Sequence, residues 1–327
     1  MEKTIRVRDL TMTYRAPVRA EGLMSAMGSV FRRTYREIQA VRNISFDLHA
    51  GEMVGFIGPN GAGKTTTLKI LSGILYPTGG DVRVLGHRPW RRDPAFLRQI
   101  AMIRGSQPIG GPAELTVMDS LRLQQLIYEI PDAAFRDTVA DLADLLELGP
   151  LLDRQVRALS LGERMRCGLA LSLIYRPRVL FLDEPTIGMD VSVVEMTRAF
   201  ITAYCRETGA TMLLTSHYMA DVERLCGRVI LIDKGTVRYD GNLGTLSTTI
   251  SPFKLIKVTL SDVAEPDLAR FGEIVSVDGG TVSVRVARSD VPAVTARVLA
   301  ELRVVDLAVE EPSLESVIDR AYREGVA

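Results

Sequence analysis

The chain has 327 residues, of which 46% are hydrophobic and 24% charged, and this length and composition suit one large domain with a smaller one. Its 40 Lys and Arg balance its 40 Asp and Glu, and this neutral charge argues against a nucleic-acid partner. Three cysteines without a C-x-x-C pair exclude a disulfide framework, and together with three scattered histidines they form no recognisable zinc-binding pattern. No apolar run approaches the ~18–20 residues that span a bilayer, and the N terminus has no signal-peptide apolar region, so we expect a soluble protein of a reducing cytoplasm.

The N-terminal region predicts a strand at residues 4–10, followed by a distinctive insertion at residues 15–39. Apolar residues recur there at helical spacing with arginines close behind; these residues are Leu23, Met24, Met27, Val30, Phe31, Arg32, Arg33 and Arg36. One interpretation is an amphipathic helix against a membrane subunit or anionic lipid headgroups. The other is a surface helix that packs on its own sheet and exposes a solvated basic face.

Strands and helices alternate through the middle of the chain. Short apolar strands are predicted at residues 44–48 and 53–57, a Gly-rich turn opens a helix at 63–72, and residues 117–148 are mostly helical. Strands alternate with helices again at 179–233, which is typical of a parallel sheet wrapped in helices.

The composition changes at residues 246–253, a polar stretch with a proline near its end, which predicts a linker. Beyond it, residues 254–327 predict the order strand, helix, strand, strand, helix, strand and a last helix. That order indicates a small ferredoxin-like α+β domain. The domain carries no cluster of catalytic residue types, so we interpret it as a dimerising or solubilising appendage or as a regulatory domain.

The sequence GPNGAGKT at residues 58–65 matches the phosphate-binding pattern G-x-x-x-x-G-K-[ST] and lies between a predicted strand and a predicted helix. Glycines let successive backbone N–H groups turn towards phosphate oxygens, and the helix N terminus adds partial positive charge. Lys64 is expected to reach the β- and γ-phosphates, and the Thr65 hydroxyl to bind Mg²⁺. Because strand, helix, Lys and Thr are in register, a chance Gly-rich turn is disfavoured. The residues assigned to ATP in this loop are Gly58, Pro59, Asn60, Gly61, Ala62, Gly63, Lys64, Thr65 and Thr66.

The sequence VLFLDEP at residues 179–185 is an apolar run that ends in two carboxylates. Ligands bind at the carboxyl ends of buried parallel strands, so Asp183 is expected to face the Mg²⁺ of the phosphate-binding loop. Glu184 points elsewhere by strand alternation and is placed to activate the attacking water. A solvated strand end is the alternative, and the nearby loop disfavours it.

The sequence LSLGERM at residues 159–165 lies about twenty residues before the acidic strand. This order of motifs resembles the ATP-binding subunit of ABC transporters, whose hallmark is a signature loop of LSGGQ type. The resemblance covers about residues 1–245. It implies an α/β fold, a P-loop NTPase of ABC type with a mixed sheet core and a helical subdomain at about residues 108–175.

Three further residues gain roles from this resemblance. Tyr14 follows the first strand, where the family places an aromatic ring that stacks on adenine, although Phe31 or Tyr35 competes for that role. Gln107 precedes an LTV sequence as the family's Q-loop glutamine does, which implies contact with Mg²⁺ or water. His217 in TSHYM matches the switch histidine, which implies contact with the γ-phosphate and makes it catalytic together with Glu184.

The resemblance also implies a head-to-tail dimer that sandwiches two nucleotides. Ser160 and Gly162, at the start of a predicted helix, would present a hydroxyl and backbone N–H groups to the γ-phosphate of ATP held by the other protomer. Asp190 ends TIGMD, which matches the D-loop, and is expected at the interface between the protomers.

Two residues of the signature loop, 160–163, depart from the family pattern. Leu161 replaces a glycine and restricts the backbone slightly, and Glu163 replaces the glutamine and brings a negative charge towards phosphate. Arg164 or Arg166 is expected to offset that charge. Because Ser160 and Gly162 remain, we interpret the departures as variation and not as loss of function.

The function implied by the resemblance is ATP binding and hydrolysis that powers a transporter, most like the ABC-2 type that exports drugs, antibiotics or other amphiphiles. The implied partners are integral membrane permease subunits and a second ATPase subunit, either a copy of this chain or a sister subunit. The chain would then lie at the cytoplasmic face of the membrane.

Two alternatives remain open from the sequence. A soluble ABC ATPase acting on ribosomes or DNA is disfavoured because the chain has one phosphate-binding loop, no sustained heptads and a neutral charge. A binding protein without turnover is disfavoured because Lys64, Asp183 and Glu184 are all present, as is His217.

Overall fold

The computed structural model describes residues 2–17, 35–105, 113–250, 252–261 and 268–318. The chain divides into two compact units, Met1–Asp240 and Gly241–Ala327. The domain boundary expected at residue 245 stays a prediction.

The first unit consists of two sheets and the helices that cover them. In chain order its strands are β1 (Lys3–Pro17), β2 (Tyr35–His49), β3 (Met53–Ile57), β4 (Gly79–Val84), β5 (Ile100–Arg104), β6 (Val179–Asp183), β7 (Thr211–Thr215), β8 (Arg228–Asp233) and β9 (Thr236–Asn242). Its helices are α1 (Lys64–Leu71), α2 (Pro94–Leu97), α3 (Val117–Tyr128), α4 (Asp132–Leu145), α5 (Leu161–Leu173), α6 (Val191–Thr208) and α7 (Met219–Leu225).

The larger sheet has the strand order β5-β6-β7-β3-β8-β9, and its first five strands pair in parallel. Every residue of β6 and of β7 is buried, as expected for apolar strands covered on both faces. Because β3, β7 and β6 are neighbours, the segments that follow them meet at one edge of the sheet. The phosphate-binding loop follows β3, the two carboxylates end β6, and the switch histidine follows β7.

The smaller sheet is antiparallel, with the order β2-β1-β4. A buried core lies between it and the larger sheet, where the Phe46 and Phe56 rings meet with centroids 5.7 Å apart. Helix α1 packs Leu68 and Leu71 into the same core. This packing fixes the start of α1, and with it the phosphate-binding loop.

Both described ends of the 15–39 insertion differ from the helical expectation. Arg15 pairs with Glu37 and Pro17 pairs with Tyr35 in the antiparallel ladder of β1 and β2. These ends are strand because cross-strand pairing satisfies their backbone groups. The other residues of the expected helix, Leu23, Met24, Met27, Val30, Phe31, Arg32 and Arg33, lie outside the described residues.

The segment expected to be mostly helical, 117–148, contains α3 and α4, and α5 follows within the expected helical subdomain of about residues 108–175. Helix α3 begins at a capping box in which the Thr116 hydroxyl accepts the Asp119 N–H and the Asp119 carboxylate accepts the Thr116 N–H. Helix α5 begins in the same way at Ser160. In the part of the chain that the structure describes, no helix has the length and apolar composition needed to cross a membrane.

The second unit contains α8 (Leu243–Ile250), β10 (Phe253–Leu260), β11 (Glu273–Asp278), β12 (Thr281–Ala287), α9 (Val291–Glu301) and β13 (Val304–Glu310). Its sheet has the order β11-β12-β10-β13, which is the ferredoxin-like arrangement and confirms that expectation. Helix α9 and a short 3-10 helix, Leu268–Phe271, pack on this sheet around Ile256, Val258 and Val284.

Helix α8 occupies most of the stretch that the sequence predicted as a linker. The Asn242 side chain accepts the Gly244 N–H at 2.8 Å, which supplies a start for the helix, and Leu246 is fully buried. One buried leucine thus anchors a polar segment that composition alone would leave as coil.

Candidate nucleotide-binding and hydrolysis site

The phosphate-binding loop turns sharply between β3 and α1, and two of its glycines are sterically required. A Cβ at Gly58 would lie 2.1 Å from the Ile232 carbonyl oxygen, and one at Gly63 would lie 2.4 Å from that of Ala40. Gly63 also has a φ of 107°, which side chains rarely adopt. As the N-cap of α1 it has no side chain to cap the helix, so the first N–H groups of α1 remain available for an anion.

Lys64 lies across this loop and is only 6% exposed. Its Nζ donates to the carbonyl oxygens of Gly58 at 2.5 Å and Pro59 at 3.1 Å. Burial lowers the pKa of the ammonium, while the nearby Glu184 and Asp183 carboxylates act in the opposite direction. The ammonium is therefore held where a phosphate oxygen can replace a carbonyl oxygen as its acceptor.

Asp183 ends β6 opposite the loop. Its Oδ1 accepts from the hydroxyls of Thr65 at 3.1 Å and Thr215 at 2.8 Å. Neither bond uses Oδ2. A carboxylate and a hydroxyl beside a phosphate site are the oxygen ligands that Mg²⁺ prefers, so this donor set fits the expected metal.

Glu184 and His217, which the sequence assigns to catalysis, lie in contact, and their catalytic roles stay a prediction. Glu184 Oε1 lies 2.7 Å from His217 Nε2, and the Glu184 backbone N–H donates to the Thr215 carbonyl oxygen at 3.0 Å. Glu184 has a φ of 54°, a left-handed conformation that is uncommon outside glycine. Such strained positions occur at functional sites, and this one directly follows the last residue of β6.

Gly105 lies against the site, and the sequence analysis did not single it out. Its N–H donates to the Asp183 carbonyl oxygen at 3.1 Å, and a Cβ there would lie 1.9 Å from the Glu184 carbonyl oxygen. Only glycine lets the chain that follows β5 come this close to the backbone of Glu184. A glycine directly after a predicted strand and two residues before Gln107 is the sequence feature that could have indicated this residue.

Tyr14 lies beside the phosphate-binding loop, where its hydroxyl is 3.4 Å from Thr66 Oγ1 and its side chain is 37% exposed. This places an open aromatic ring next to the loop, and its role at adenine stays a prediction. The alternative Tyr35 pairs with Pro17, three residues beyond Tyr14 at the end of the β1–β2 ladder. Phe31 and Gln107 lie outside the described residues.

The signature loop forms the capped start of α5. The Ser160 hydroxyl accepts the Glu163 N–H at 3.3 Å, and the Glu163 carboxylate accepts the Ser160 N–H at 2.7 Å. That backbone bond is the main reason why the pKa of Glu163 is lowered. A hydrogen bond from the Ser160 hydroxyl lowers this pKa further. Leu161 is largely exposed, and Gly162 lies against Val193 of α6.

The expected charge partner of Glu163 is corrected by the structure. Arg154 Nη1 lies 2.6 Å from Glu163 Oε1, and Arg154 Nη2 donates to the Ala158 carbonyl oxygen at 2.7 Å. Arg164 instead donates to the Leu159 carbonyl oxygen, and Arg166 to that of Leu146. The sequence suggested the arginines that follow Glu163 because they are adjacent, but they extend away from its carboxylate.

Asp190 is exposed at the N terminus of α6. Within the described residues, no hydrogen bond or ion pair joins Asp190 or the signature loop to the phosphate-binding loop. The described chain brings Lys64, Asp183, Glu184 and His217 to one edge of the larger sheet. The signature loop lines a cavity together with Asp190.

Comparison with known proteins is consistent with this arrangement. The sequence profile described as "ABC transporter" matches residues 41–187, and the one described as "EvrA-like ABC transporter, C-terminal domain" matches residues 252–310. A solved structure described as an ATP-binding subunit of an ABC transporter aligns with a TM-score of 0.62 at 25% identity, over 75% of this chain and 92% of that chain.

Two curated relatives match most of the chain. The daunorubicin/doxorubicin resistance ATP-binding protein DrrA of Streptomyces peucetius is 32% identical over 301 residues, which cover 89% of this chain and 88% of the relative. The linearmycin resistance ATP-binding protein LnrL of Bacillus subtilis (strain 168) is 28% identical over 298 residues, which cover 87% of this chain and 94% of the relative.

Proposed function

This chain belongs to the ATP-binding proteins of ABC transporters, and from that membership we propose that it powers the export of drug-like or antibiotic amphiphiles. It is an ATP-binding and ATP-hydrolysing subunit. The substrate class rests on the two relatives named for resistance to daunorubicin/doxorubicin and to linearmycin. The alternative of a ribosome- or DNA-acting ATPase gains no support from these relatives.

The observation that carries the hydrolytic function is the Glu184–His217 pair beside Asp183 and Lys64. Glu184 Oε1 and His217 Nε2 are 2.7 Å apart at the edge of the sheet where Lys64 is buried. A carboxylate and an imidazole in hydrogen-bond contact next to a phosphate site can orient a water and take up its proton.

Each residue of the site has a separate task in this reaction. Lys64 binds the β- and γ-phosphates, and the N–H groups at the start of α1 bind the remaining oxygens. Thr65 and Asp183 would hold Mg²⁺, which neutralises charge on the phosphates when bound. Glu184 orients the attacking water and accepts its proton, while His217 fixes the Glu184 carboxylate and contacts the γ-phosphate. Tyr14 stacks on adenine, and Gln107 completes the water and metal shell.

Hydrolysis requires a second protomer in this proposal, because no hydrogen bond or ion pair among the described residues joins the signature loop to the phosphate-binding loop of its own chain. Ser160 and Gly162 would bind the γ-phosphate held by the partner, with Asp190 at the interface. Closure completes the catalytic site only when both nucleotides are bound. The second protomer is either a copy of this chain or a sister subunit.

Glu184→Gln tests the catalytic assignment. We expect this variant to bind ATP normally, to accumulate as a closed dimer and to hydrolyse ATP about 10²–10⁴-fold more slowly, because it loses the general base. Phosphate release and size-exclusion chromatography with ATP measure the two effects.

Glu129→Gln is a matched control, because Glu129 shares the φ of 54° but lies at the end of α3 in an ion pair with Arg98. It should hydrolyse ATP at the wild-type rate. A Glu184→Gln variant with wild-type hydrolysis would refute the assignment of the general base.

The transport function predicts a membrane partner at the cytoplasmic face. A pull-down of the tagged protein from native membranes in mild detergent should recover a polytopic permease at near-equal stoichiometry. Recovery with ribosomal or DNA-associated proteins would leave the ATPase site standing and exclude the export role.

A further inference from the structure

Asp221 is a fully buried carboxylate at the start of α7 that the mechanism above does not use. Its Oδ2 accepts from the hydroxyls of Thr186 and Ser216, both at 2.6 Å. Its Oδ1 accepts from Arg198 Nε at 2.7 Å and Nη2 at 2.6 Å. A buried carboxylate is tolerated only when it is paired and hydrogen-bonded, and these donors meet that requirement.

The donors come from segments on either side of the catalytic pair. Thr186 lies in the D-loop, residues 186–190, two positions after Glu184. Ser216 directly precedes His217. The Ser216 hydroxyl also accepts the Tyr218 N–H at 3.0 Å, and the Asp221 N–H donates to the Tyr218 carbonyl oxygen at 3.0 Å. The turn that carries His217 is therefore fixed to Asp221 from both sides.

The two loops share a single acceptor atom. Because Thr186 and Ser216 both donate to Oδ2, a movement of one hydroxyl changes the geometry available to the other. Arg198 holds Oδ1 and also pairs with Glu195 at 2.6 Å, so the carboxylate itself is fixed to α6. Helix α6 begins at Asp190, the last residue of the D-loop.

We propose that Asp221 is a positioning residue that couples the D-loop to the Glu184–His217 pair. This inference rests on the proposed function, because that function places the D-loop at the interface with a second protomer. Displacement of the D-loop on closure would reach His217 through Thr186, Asp221 and Ser216. The network thereby adjusts the catalytic pair of one site to the presence of the partner.

The experiment removes single hydroxyl groups and leaves the buried carboxylate paired with Arg198. Thr186→Val and Ser216→Ala each delete one bond to Oδ2, and Thr186→Ser restores the hydroxyl. We expect each deletion to lower kcat about tenfold, with KM and the Kd for ATP within about twofold of wild type, since ATP binding does not need the coupling. Thr186→Ser should recover most of the activity.

The double variant separates coupling from independent damage. Because both hydroxyls act through one atom, we expect the kcat of the double variant, Thr186→Val with Ser216→Ala, to lie within about twofold of the kcat of the slower single variant. A multiplicative loss of about a hundredfold would overturn the proposal.

Thr211→Val controls for the loss of a buried hydroxyl. Thr211 is 1% exposed, lies at the opposite end of β7 and bonds to the Gly51 N–H and the Thr4 hydroxyl. This variant should lose thermal stability but keep kcat. Equal falls in kcat for Thr211→Val and Thr186→Val would reduce Asp221 to a structural role and overturn the proposal.

The wild-type protein and Glu184→Gln are measured in the same assay. If wild type hydrolyses ATP, Glu184→Gln does not, and Thr186→Val is unaffected, the coupling fails while the proposed function stands. If wild type with its permease does not hydrolyse ATP, the proposed function itself fails.

Discussion

At the scale of single residues, Arg154 and Glu163 determine the charge of the signature loop. The carboxylate of Glu163 is bonded to the Ser160 N–H and paired with Arg154. In the proposed dimer this loop meets the triphosphate of the partner, which repels an unpaired negative charge. The arginine therefore allows a glutamate to occupy the position where the family pattern has glutamine.

Arg154→Gln should consequently lower kcat/KM for ATP by a few fold, because an uncompensated carboxylate approaches the phosphate. Adding Glu163→Gln to that variant should restore activity, since the charge that needed a partner is gone. Steady-state ATPase rates of the two single variants and the double variant measure the effect.

Arg157→Gln is the matched control, because Arg157 bonds to the Gln155 side chain and not to Glu163. It should behave like wild type. If Glu163→Gln fails to rescue Arg154→Gln, the role of Arg154 is not charge compensation.

Gly105 offers a second residue-scale prediction. The methyl group of Gly105→Ala would collide with the Glu184 carbonyl oxygen and displace the catalytic turn. We expect kcat to fall by about 10²-fold, because small misplacements of catalytic groups cost rates of that order, while ATP binding persists. Gly149→Ala is the control, since a Cβ there meets nothing within 4 Å. Equal rates for both variants would contradict the prediction.

Residues of the site were predictable where a short motif fixes both the chemistry and the backbone. Lys64, Asp183 and Glu184 follow from such motifs, and the structure brings them to one edge of the sheet together with His217. Residues whose role arises from tertiary approach were not predictable. Gly105 is required by a carbonyl oxygen far along the chain, and Arg154 reaches Glu163 across a turn.

At the scale of elements, the β1–β2 pair carries an acid-sensitive contact. Asp47 on β2 accepts from Arg8 at 2.6 Å and from Lys3 at 2.8 Å, both on β1. The bond from Arg8 is the main reason why the pKa of Asp47 is lowered from 3.8 to about 2. The ionised carboxylate therefore stabilises the fold above about pH 4, and this contribution is lost as the pH falls towards about 2.

Asp47→Asn should then destabilise the protein by about 1–2 kcal/mol at neutral pH. The difference from wild type should shrink as the pH falls from about 4 towards 2, because the wild-type carboxylate becomes protonated. Urea unfolding of both proteins across this range measures it. A difference that does not change with pH would exclude the ion pair as its cause.

Elements were predictable where hydrophobic periodicity agrees with tertiary packing. The apolar runs of β6 and β7 predict buried parallel strands, and the order of strands and helices in the second unit predicts its ferredoxin-like fold. The ends of the insertion were not, because helical spacing at residues 23–31 gives no sign of the cross-strand pairing at Pro17 and Tyr35. Helix α8 was missed because its sequence is rich in small polar residues, while the burial of Leu246 depends on tertiary packing.

At the scale of the whole molecule, the described site residues all lie in the first unit, Met1–Asp240. A chain that ends at Asn242, the last residue of β9, keeps both sheets of that unit. We expect it to bind ATP with a Kd within about twofold of the full chain, measured by isothermal titration calorimetry. A tenfold weaker Kd would show that the second unit contributes to the nucleotide site.

The register of β1 and β2 has a consequence for how this molecule can vary. Because Pro17 and Tyr35 are paired across the ladder, the two described ends of the insertion lie side by side. A change in the number of residues between positions 17 and 35 can therefore leave this pairing in register. Such variation in length would not disturb the strands that position the nucleotide site.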